Sequence, residues 1–166
     1  MAYEGNGTGT AVVPSGSDTE ILAASPAYIL ASYIIDTLRY MTDYNDGSAW
    51  PLYISSLPDG DDIQNNAGGI YDTTGLLDGK DMRDSVVVEH HGIQIKIRSI
   101  DQQTGWTKMR QIVGDLDQVQ MQEITANDIT YEMASISRTS PIACIGTDEK
   151  RRFLFTVNFL ATIREL

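Results

Sequence analysis

The two histidines of the chain, His90 and His91, are the residues best suited to bind a metal ion or to transfer a proton. Successive side chains of a strand point to opposite faces, so two adjacent histidines do not readily reach one ion. A zinc site would also need two or three further ligands, and Cys144 is the only other cysteine or histidine in the sequence. The sequence therefore predicts no metal site and no cofactor.

The arrangements that support nucleophilic catalysis are missing as well. There is no Gly-x-Ser-x-Gly elbow, and Cys144 has no histidine near it in the sequence. Cys144 lies in the apolar run Pro141–Ile145, which predicts a buried and unreactive thiol. The glycine-rich segment 5–10 lacks the preceding strand, the following helix and the lysine of a phosphate-binding loop. We therefore predict that the protein is not an enzyme.

Two aspartate-rich turns, at residues 59–62 and 78–81, invite comparison with calcium sites. Neither has the alternating carboxylates, the central glycine and the closing glutamate that build an oxygen cage around calcium. We predict that both are solvated turns.

Charge is distributed unevenly along the chain, whose net charge is −11. Residues 1–89 hold fourteen Asp and Glu against three basic residues, whereas residues 90–166 hold nine of each sign. A DNA-binding protein needs clustered Lys and Arg to neutralise phosphates, so this composition argues against direct nucleic-acid binding. It remains compatible with a wall past which nucleic acid slides.

The chain has one basic cluster, made of Arg138, Lys150, Arg151 and Arg152. One interpretation is a solvated strand end. The other is an interface, because arginine pairs bidentately with carboxylates and the first half of the chain is rich in them. A molecule with an acidic half and a basic cluster could bind copies of itself head to tail, and such heterologous contacts close into rings.

The last stretch of the chain, residues 150–163, alternates over an unusual length. Phe153, Phe155, Val157 and Phe159 fall on one face, followed there by an alanine and an isoleucine. This pattern predicts one β-strand of about 13 residues with an apolar face, well above the usual 5 or 6.

Helical spacing predicts two helices in the rest of the chain. Ser25 and Pro26 begin the first, which we predict to continue to about Tyr44, and the second covers about 104–120. Gly146–Glu149 predicts the turn of a hairpin with the terminal strand. The remaining predicted elements are strands at 50–57, 69–72, 93–98 and 129–138 and a loop at 74–85.

This order of elements predicts an α+β fold, with a small, mostly antiparallel sheet flanked by two helices and a long C-terminal β-hairpin. Residues 25–166 are expected to form a single domain. Residues 1–24 are rich in Gly, Ser and Thr and predict a flexible N-terminal arm. Neither a secretory signal nor a membrane-spanning stretch is visible, so we expect a soluble protein made in a reducing compartment.

Taken together, several segments resemble the tail-terminator proteins of long-tailed bacteriophages, also called tail completion or minor capsid proteins. The similarity covers roughly residues 25–166. It is carried by residues 50–59, 70–75 with 78–79, 89–98, 116–119, 135–141, 146–148 and 151–159.

The resemblance implies a structural virion protein and not an enzyme. Such proteins form a ring, commonly of six subunits, at the head-proximal end of the tail tube, where they end tube growth and present a docking surface to the head connector. The implied partners are further copies of the chain, the tail tube protein and the connector or adaptor protein. DNA would pass through the lumen without specific binding, and assembly would occur in the host cytoplasm.

Two other functions stay open at this point. The first alternative is a different neck or head–tail adaptor protein. The second, which is less favoured, is an acidic cytoplasmic binding module or a small enzyme. In the ring interpretation the basic cluster, Arg138, Lys150, Arg151 and Arg152, would lie at subunit contacts. The carboxylates that would line or rim the lumen are Asp59, Asp61, Asp62, Asp78, Asp81 and Asp84.

Overall fold

The computed structural model describes residues 21–47, 49–80 and 87–166. Residues 1–20 of the predicted N-terminal arm therefore lie outside the described residues, and the flexibility of that arm stays a prediction. Leu22 and Ala24, at the end of the predicted arm, are half-buried against the hydrophobic core. The Ala23 amide donates to the Glu165 carboxylate, with 3.4 Å between the two heavy atoms.

The first helix, α1 (Pro26–Ser32), begins where the sequence predicts it, with the Ser25 hydroxyl accepting a hydrogen bond from a first-turn amide. It continues as a π-helical segment, Tyr33–Leu38, and stops at Arg39, whose φ is 56°. The predicted continuation to Tyr44 is wrong. Left-handed backbone at Arg39 breaks the helical repeat, and the chain then turns into the sheet.

The second helix, α2 (Gln102–Leu116), is capped by Asp101, whose carboxylate accepts from the Thr104 amide at 2.8 Å. The predicted helix at 104–120 begins two residues late and extends too far, because Gln120 already belongs to a strand. The apolar spacing that predicted α2 is confirmed by its buried side chains, which are Met109, Ile112, Val113 and Leu116.

Eight strands form one mixed sheet. In chain order they are β1 (Thr42–Asp43), β2 (Pro51–Ile54), β3 (Ala67–Lys80), β4 (Val87–Ser99), β5 (Gln120–Ala126), β6 (Ile129–Arg138), β7 (Ala143–Thr147) and β8 (Phe153–Glu165). Their order across the sheet is β1-β2-β3-β4-β8-β6-β5, with β7 also paired to β8. The β1–β2 and β2–β3 pairs are parallel and every other pair is antiparallel, so the structure is α+β with a mostly antiparallel sheet.

The terminal strand β8 is the centre of this sheet. One of its edges pairs with β4 along Phe153–Ala161. The other edge is shared by two strands, with β7 along its first part and β6 along its last. The predicted alternation is confirmed, since Phe155, Val157, Phe159 and the alternate residues after them are buried. Trp106 of α2 packs edge-on against Phe155, with 6.2 Å between ring centroids.

The longest hairpin is formed by β3 and β4, of 14 and 13 residues, and not by β7 and β8. Sequence reasoning predicted a short strand at 69–72 followed by a loop at 74–85. That loop prediction is wrong as far as Lys80, because β3 continues and stays paired with β4. Two β-bulges, at Thr73/Leu76 and Leu77/Lys80, shift the register and carry the hairpin past the core.

Strand β7, by contrast, is short, and all five of its residues are exposed. The predicted burial of Cys144 is therefore wrong, since this thiol lies on the surface. The apolar run that suggested burial includes this strand, which pairs with β8 and leaves its five side chains exposed.

Candidate assembly surface

The turn between β7 and β8 places the buried Arg152 against two carboxylates. Its Nε atom donates to Asp148 Oδ2 at 2.8 Å, and its Nη2 atom lies 2.7 Å from the same oxygen. Nη2 also forms an ion pair with Asp59, which approaches from the loop after β2. The Arg152 side chain is only 1% exposed, so this guanidinium depends on the two carboxylates for its charge balance.

Local sequence explains why the turn takes this shape. The Asp148 carboxylate accepts hydrogen bonds from the backbone amides of Lys150 and Arg152, at 3.0 and 2.9 Å. Arg151 between them has a φ of 59°, which lets the chain reverse within five residues. The turn is thus built around one aspartate, which also orients the guanidinium.

Two more cations fix the acidic loop to the sheet. Lys150 Nζ lies 3.5 Å from Asp59 and 3.2 Å from Asp61. Arg98, which is 2% exposed, donates to three backbone carbonyls of the loop. These carbonyls belong to Pro58 at 2.6 Å, Gln64 at 2.9 Å and Asn65 at 3.3 Å.

Arg152 lowers the pKa of two carboxylates in this cluster, Asp59 and Asp148. The hydrogen bond from Arg152 lowers the pKa of Asp59 below its usual value, against a smaller opposing effect of desolvation. Partial burial alone would raise the pKa of Asp148, but its hydrogen bonds with Arg152 outweigh that effect and the pKa is lowered. Asp59 and Asp148 therefore keep their ion pairs with Arg152 throughout the neutral pH range.

The predicted interface residues do not all lie together. Lys150 and Arg152 join Asp59 and Asp61, whereas Arg138 forms a separate ion pair with Asp117 of the segment after α2, at 2.9 Å. Much of the expected pairing between the acidic half and the basic cluster is thus made inside one chain. Of the four basic residues, Arg151 alone has no ion pair with the described residues.

The predicted acidic residues do not all lie together either. Asp62 is exposed beside the ion-paired loop. Asp78 lies on β3, where its Oδ2 atom is 2.8 Å from His90 Nε2. Asp81 and Asp84 lie outside the described residues.

The feature that sequence reasoning missed is the outer part of the β3–β4 hairpin, residues 75–80 and 87–90, which we call the arm. The pairing of β4 with β8 ends at His91, so the arm has no other strand beside it among the described residues. Leu76, Leu77 and Val88 of the arm are 58%, 69% and 41% exposed. The sequence did contain an indication of this part of β4, because the run of three valines at 86–88 favours a strand.

His90 attaches the base of the arm to the body. Its Nδ1 atom lies 2.8 Å from the Thr162 hydroxyl of β8, and its Nε2 atom contacts Asp78 across the hairpin. Gly75 allows the strands to meet here, because a Cβ atom at this position would lie 2.0 Å from the His90 carbonyl oxygen. His91 faces the other way, and burial lowers its pKa.

No group of three or more potential metal ligands occurs in the described part of the chain, 21–47, 49–80 and 87–166. A groove of about 480 Å³ lies beside the arm, lined by threonines of β3, by Ser140 and by Asn158 and Leu160 of β8. It is open and mixed in polarity, unlike the concave, mostly apolar cavities that bind small ligands. The most distinctive features of the surface are therefore strand edges and charged loops.

The described residues form an α+β fold with exposed strand edges and a charged face. A profile of the family described as "Bacteriophage tail terminator protein" matches residues 39–165. The match covers more than half of the chain, and the chain therefore belongs to this family of structural phage tail proteins. No curated protein sequence matches the chain. None of the described helices is both long and apolar enough to cross a membrane.

Proposed function

We propose that this protein forms a ring at the head-proximal end of the phage tail tube, where it ends tube growth and joins the tail to the head connector. The observation that carries the proposal is the family match over residues 39–165, which includes every strand of the sheet. The partners in this proposal are further copies of the chain, commonly six in a ring, the tail tube protein and a connector or adaptor protein. The protein would be made in the host cytoplasm and remain in the virion.

The charge distribution supports a role beside passing DNA. The net charge of −11 disfavours adhesion to phosphate, and the pKa of Asp59 in the acidic loop is lowered by its hydrogen bond with Arg152. We place this acidic surface along the lumen or its rim. Its members in the proposal are Asp59, Asp61, Asp62, Asp78, Asp81 and Asp84.

Subunit contacts in this proposal include the basic cluster, with its members in different roles. Arg151 is exposed and free of intrachain ion pairs among the described residues, so it can reach a carboxylate of a neighbouring copy. Arg138, Lys150 and Arg152 shape the surface around it through their own ion pairs.

Phage that lack the gene test the proposal. Without the protein, tails should vary in length and heads should remain unjoined, and supplying the wild-type chain should restore uniform tails. Labelled protein should lie between the head and the tube in electron micrographs. Tails of normal length together with label at the portal would point instead to a neck adaptor.

A charge reversal at Arg151 tests the subunit contact. The Arg151→Glu variant should keep the melting temperature of the wild type, because the Arg151 side chain makes no ion pair with any described residue, yet the variant should fail to restore uniform tails. Arg110→Glu is a matched control, because Arg110 is exposed on α2 and has no ion pair among the described residues. Equal rescue by both variants would remove Arg151 from the interface.

A further inference from the structure

The sheet has two open edges, one on each side. On one side β2 covers β3 only at Gly68–Ile70, so the outer edge of β3 beyond Ile70 has no strand partner among the described residues. On the other side β5 is the last strand, and its outer edge has no described partner either. Backbone donors and acceptors on such edges are free to pair with another strand.

The two open edges lie at the same height in the sheet. In the arm Leu76 is opposite His90, and His90 contacts Thr162 of β8. Thr162 is opposite Ser135 of β6, and Ser135 is opposite Gln120, the first residue of β5. A line drawn across the strands from the arm therefore reaches β5.

The two edges also run in the same direction. Each of the four pairs between them, β3–β4, β4–β8, β8–β6 and β6–β5, is antiparallel, so four reversals make β3 and β5 parallel. A rotation about an axis along the strands keeps this direction and brings β5 of one copy beside β3 of the next. A contact between different surfaces of identical copies closes into a ring when the rotation divides a full turn.

Each of the two edges carries exposed apolar side chains among polar ones. Leu76 and Leu77 are exposed on the arm, and Met121 of β5 is 60% exposed. Strand β5 carries neither proline nor lysine, the residues that commonly protect an edge from pairing. An exposed strand edge is a template for pairing with another chain unless a partner covers it.

We propose that the outer edge of β3, including the arm, pairs in parallel with β5 of a neighbouring copy and joins the sheets of the ring into one continuous sheet. The inference rests on the proposed ring function and adds the surfaces that form it. The partner strand of each edge comes from a second copy of this chain. Each copy has both edges, and the two edges lie at the same height and run in the same direction, so the β5 edge of one copy can pair with the β3 edge of the next.

Charge substitution on the arm tests the contact. Leu77→Glu should raise the protein concentration needed for ring formation by at least about a hundredfold, because a buried leucine contact is replaced by a carboxylate. Ile100→Glu is the matched control, since Ile100 is 59% exposed but lies outside both edges. Ring formation is measured by light scattering and by negative-stain microscopy, with and without tail tubes, after circular dichroism has shown that both variants fold.

Cross-linking tests which surfaces meet. In a Cys144→Ser background, which removes the exposed native thiol, one preparation carries Leu77→Cys and a second carries Glu123→Cys on β5. The mixture should give disulfide-linked dimers that contain one copy of each variant, and neither preparation alone should give them. Self-linking of the Leu77→Cys preparation would show a symmetric arm-to-arm contact and overturn the inference.

The outcomes separate this inference from the proposed function. Loss of rings in Leu77→Glu, together with mixed cross-links, supports the inference. Normal rings in Leu77→Glu, or cross-links to the tube protein in place of a second copy, overturn it and leave the ring function standing. Absence of rings for the wild type, both alone and with tail tubes, overturns the ring function and this contact with it.

Discussion

Replacing Arg152 by methionine removes the cation that balances Asp148 and Asp59 and retains most of the volume of the side chain. The guanidinium is 1% exposed, so its removal leaves Asp148 without its buried counter-charge. Sequence reasoning placed Arg152 at a subunit surface, where a substitution would leave the folded monomer intact. The structure instead predicts that Arg152→Met destabilises the monomer itself.

The expected loss in the free energy of unfolding follows from the burial of the Arg152–Asp148 ion pair. Removing one partner of a fully buried ion pair costs about 3–5 kcal/mol, because the remaining charge stays buried. The Asp148 side chain is 18% exposed and water can reach it in part, so we expect about 2–3 kcal/mol for its separation from Arg152. For a chain of this size that loss lowers the melting temperature by about 4–12 °C.

Calorimetry or thermal circular dichroism at neutral pH measures this shift. The adjacent Arg151→Met variant is the control, and it should unfold within about 0.5 kcal/mol of the wild type because that side chain is exposed and has no ion pair in the part of the chain that the structure describes. Adding Asp148→Asn to Arg152→Met should cost much less than Asp148→Asn alone, since the two residues act as a pair. Equal melting temperatures for Arg152→Met and Arg151→Met would refute the reasoning.

Further predictions concern the loss of stability at acidic pH, the capping of α1 and the base of the arm. The folded-state pKa of Asp148 is lowered, so the stability it contributes is present above about pH 4 and is lost as the pH falls through the lowered value. Urea titrations from pH 5 to pH 2 should therefore show a shallower decline for Arg152→Met than for the wild type, and parallel curves would contradict this. Asp72→Ala removes the carboxylate that accepts a hydrogen bond from the Ala27 amide of α1 at 2.8 Å and should cost about 1 kcal/mol, whereas an unchanged urea midpoint would rule out capping. Gly75→Ala places a Cβ atom against the His90 carbonyl, so amide exchange should accelerate in the arm and not in α2, and unchanged arm protection would count against the close approach.

Much of the fold could be predicted from local patterns. The alternation along β8 determined which of its faces is buried, and the three- and four-residue spacing of α2 determined its core side. Ser25 marked the start of α1, because a hydroxyl before the first turn can accept from a free amide. These features depend on residues close together in the chain, and their physics is therefore visible in the sequence.

The candidate surface was less predictable, because its contacts join distant residues. Asp59 and Arg152 are 93 positions apart, and the charge count could not tell whether they would pair within a chain or between copies. The exposure of Cys144 was also not predictable from its neighbours in the sequence. Its apolar neighbours suggested burial, but β7 covers only one edge of β8 and stays exposed.

By itself, the sequence determined the family of the protein, through short segments that resemble the tail-terminator proteins. It also determined that the terminal strand is long and apolar on one face. Only the tertiary structure decided that β8 is the central strand, that Arg152 is buried, and that the arm and β5 have outer edges at one height with no partner strand among the described residues. The physical reason is that strand order and edge exposure depend on long-range pairing, which a local pattern of side chains does not encode.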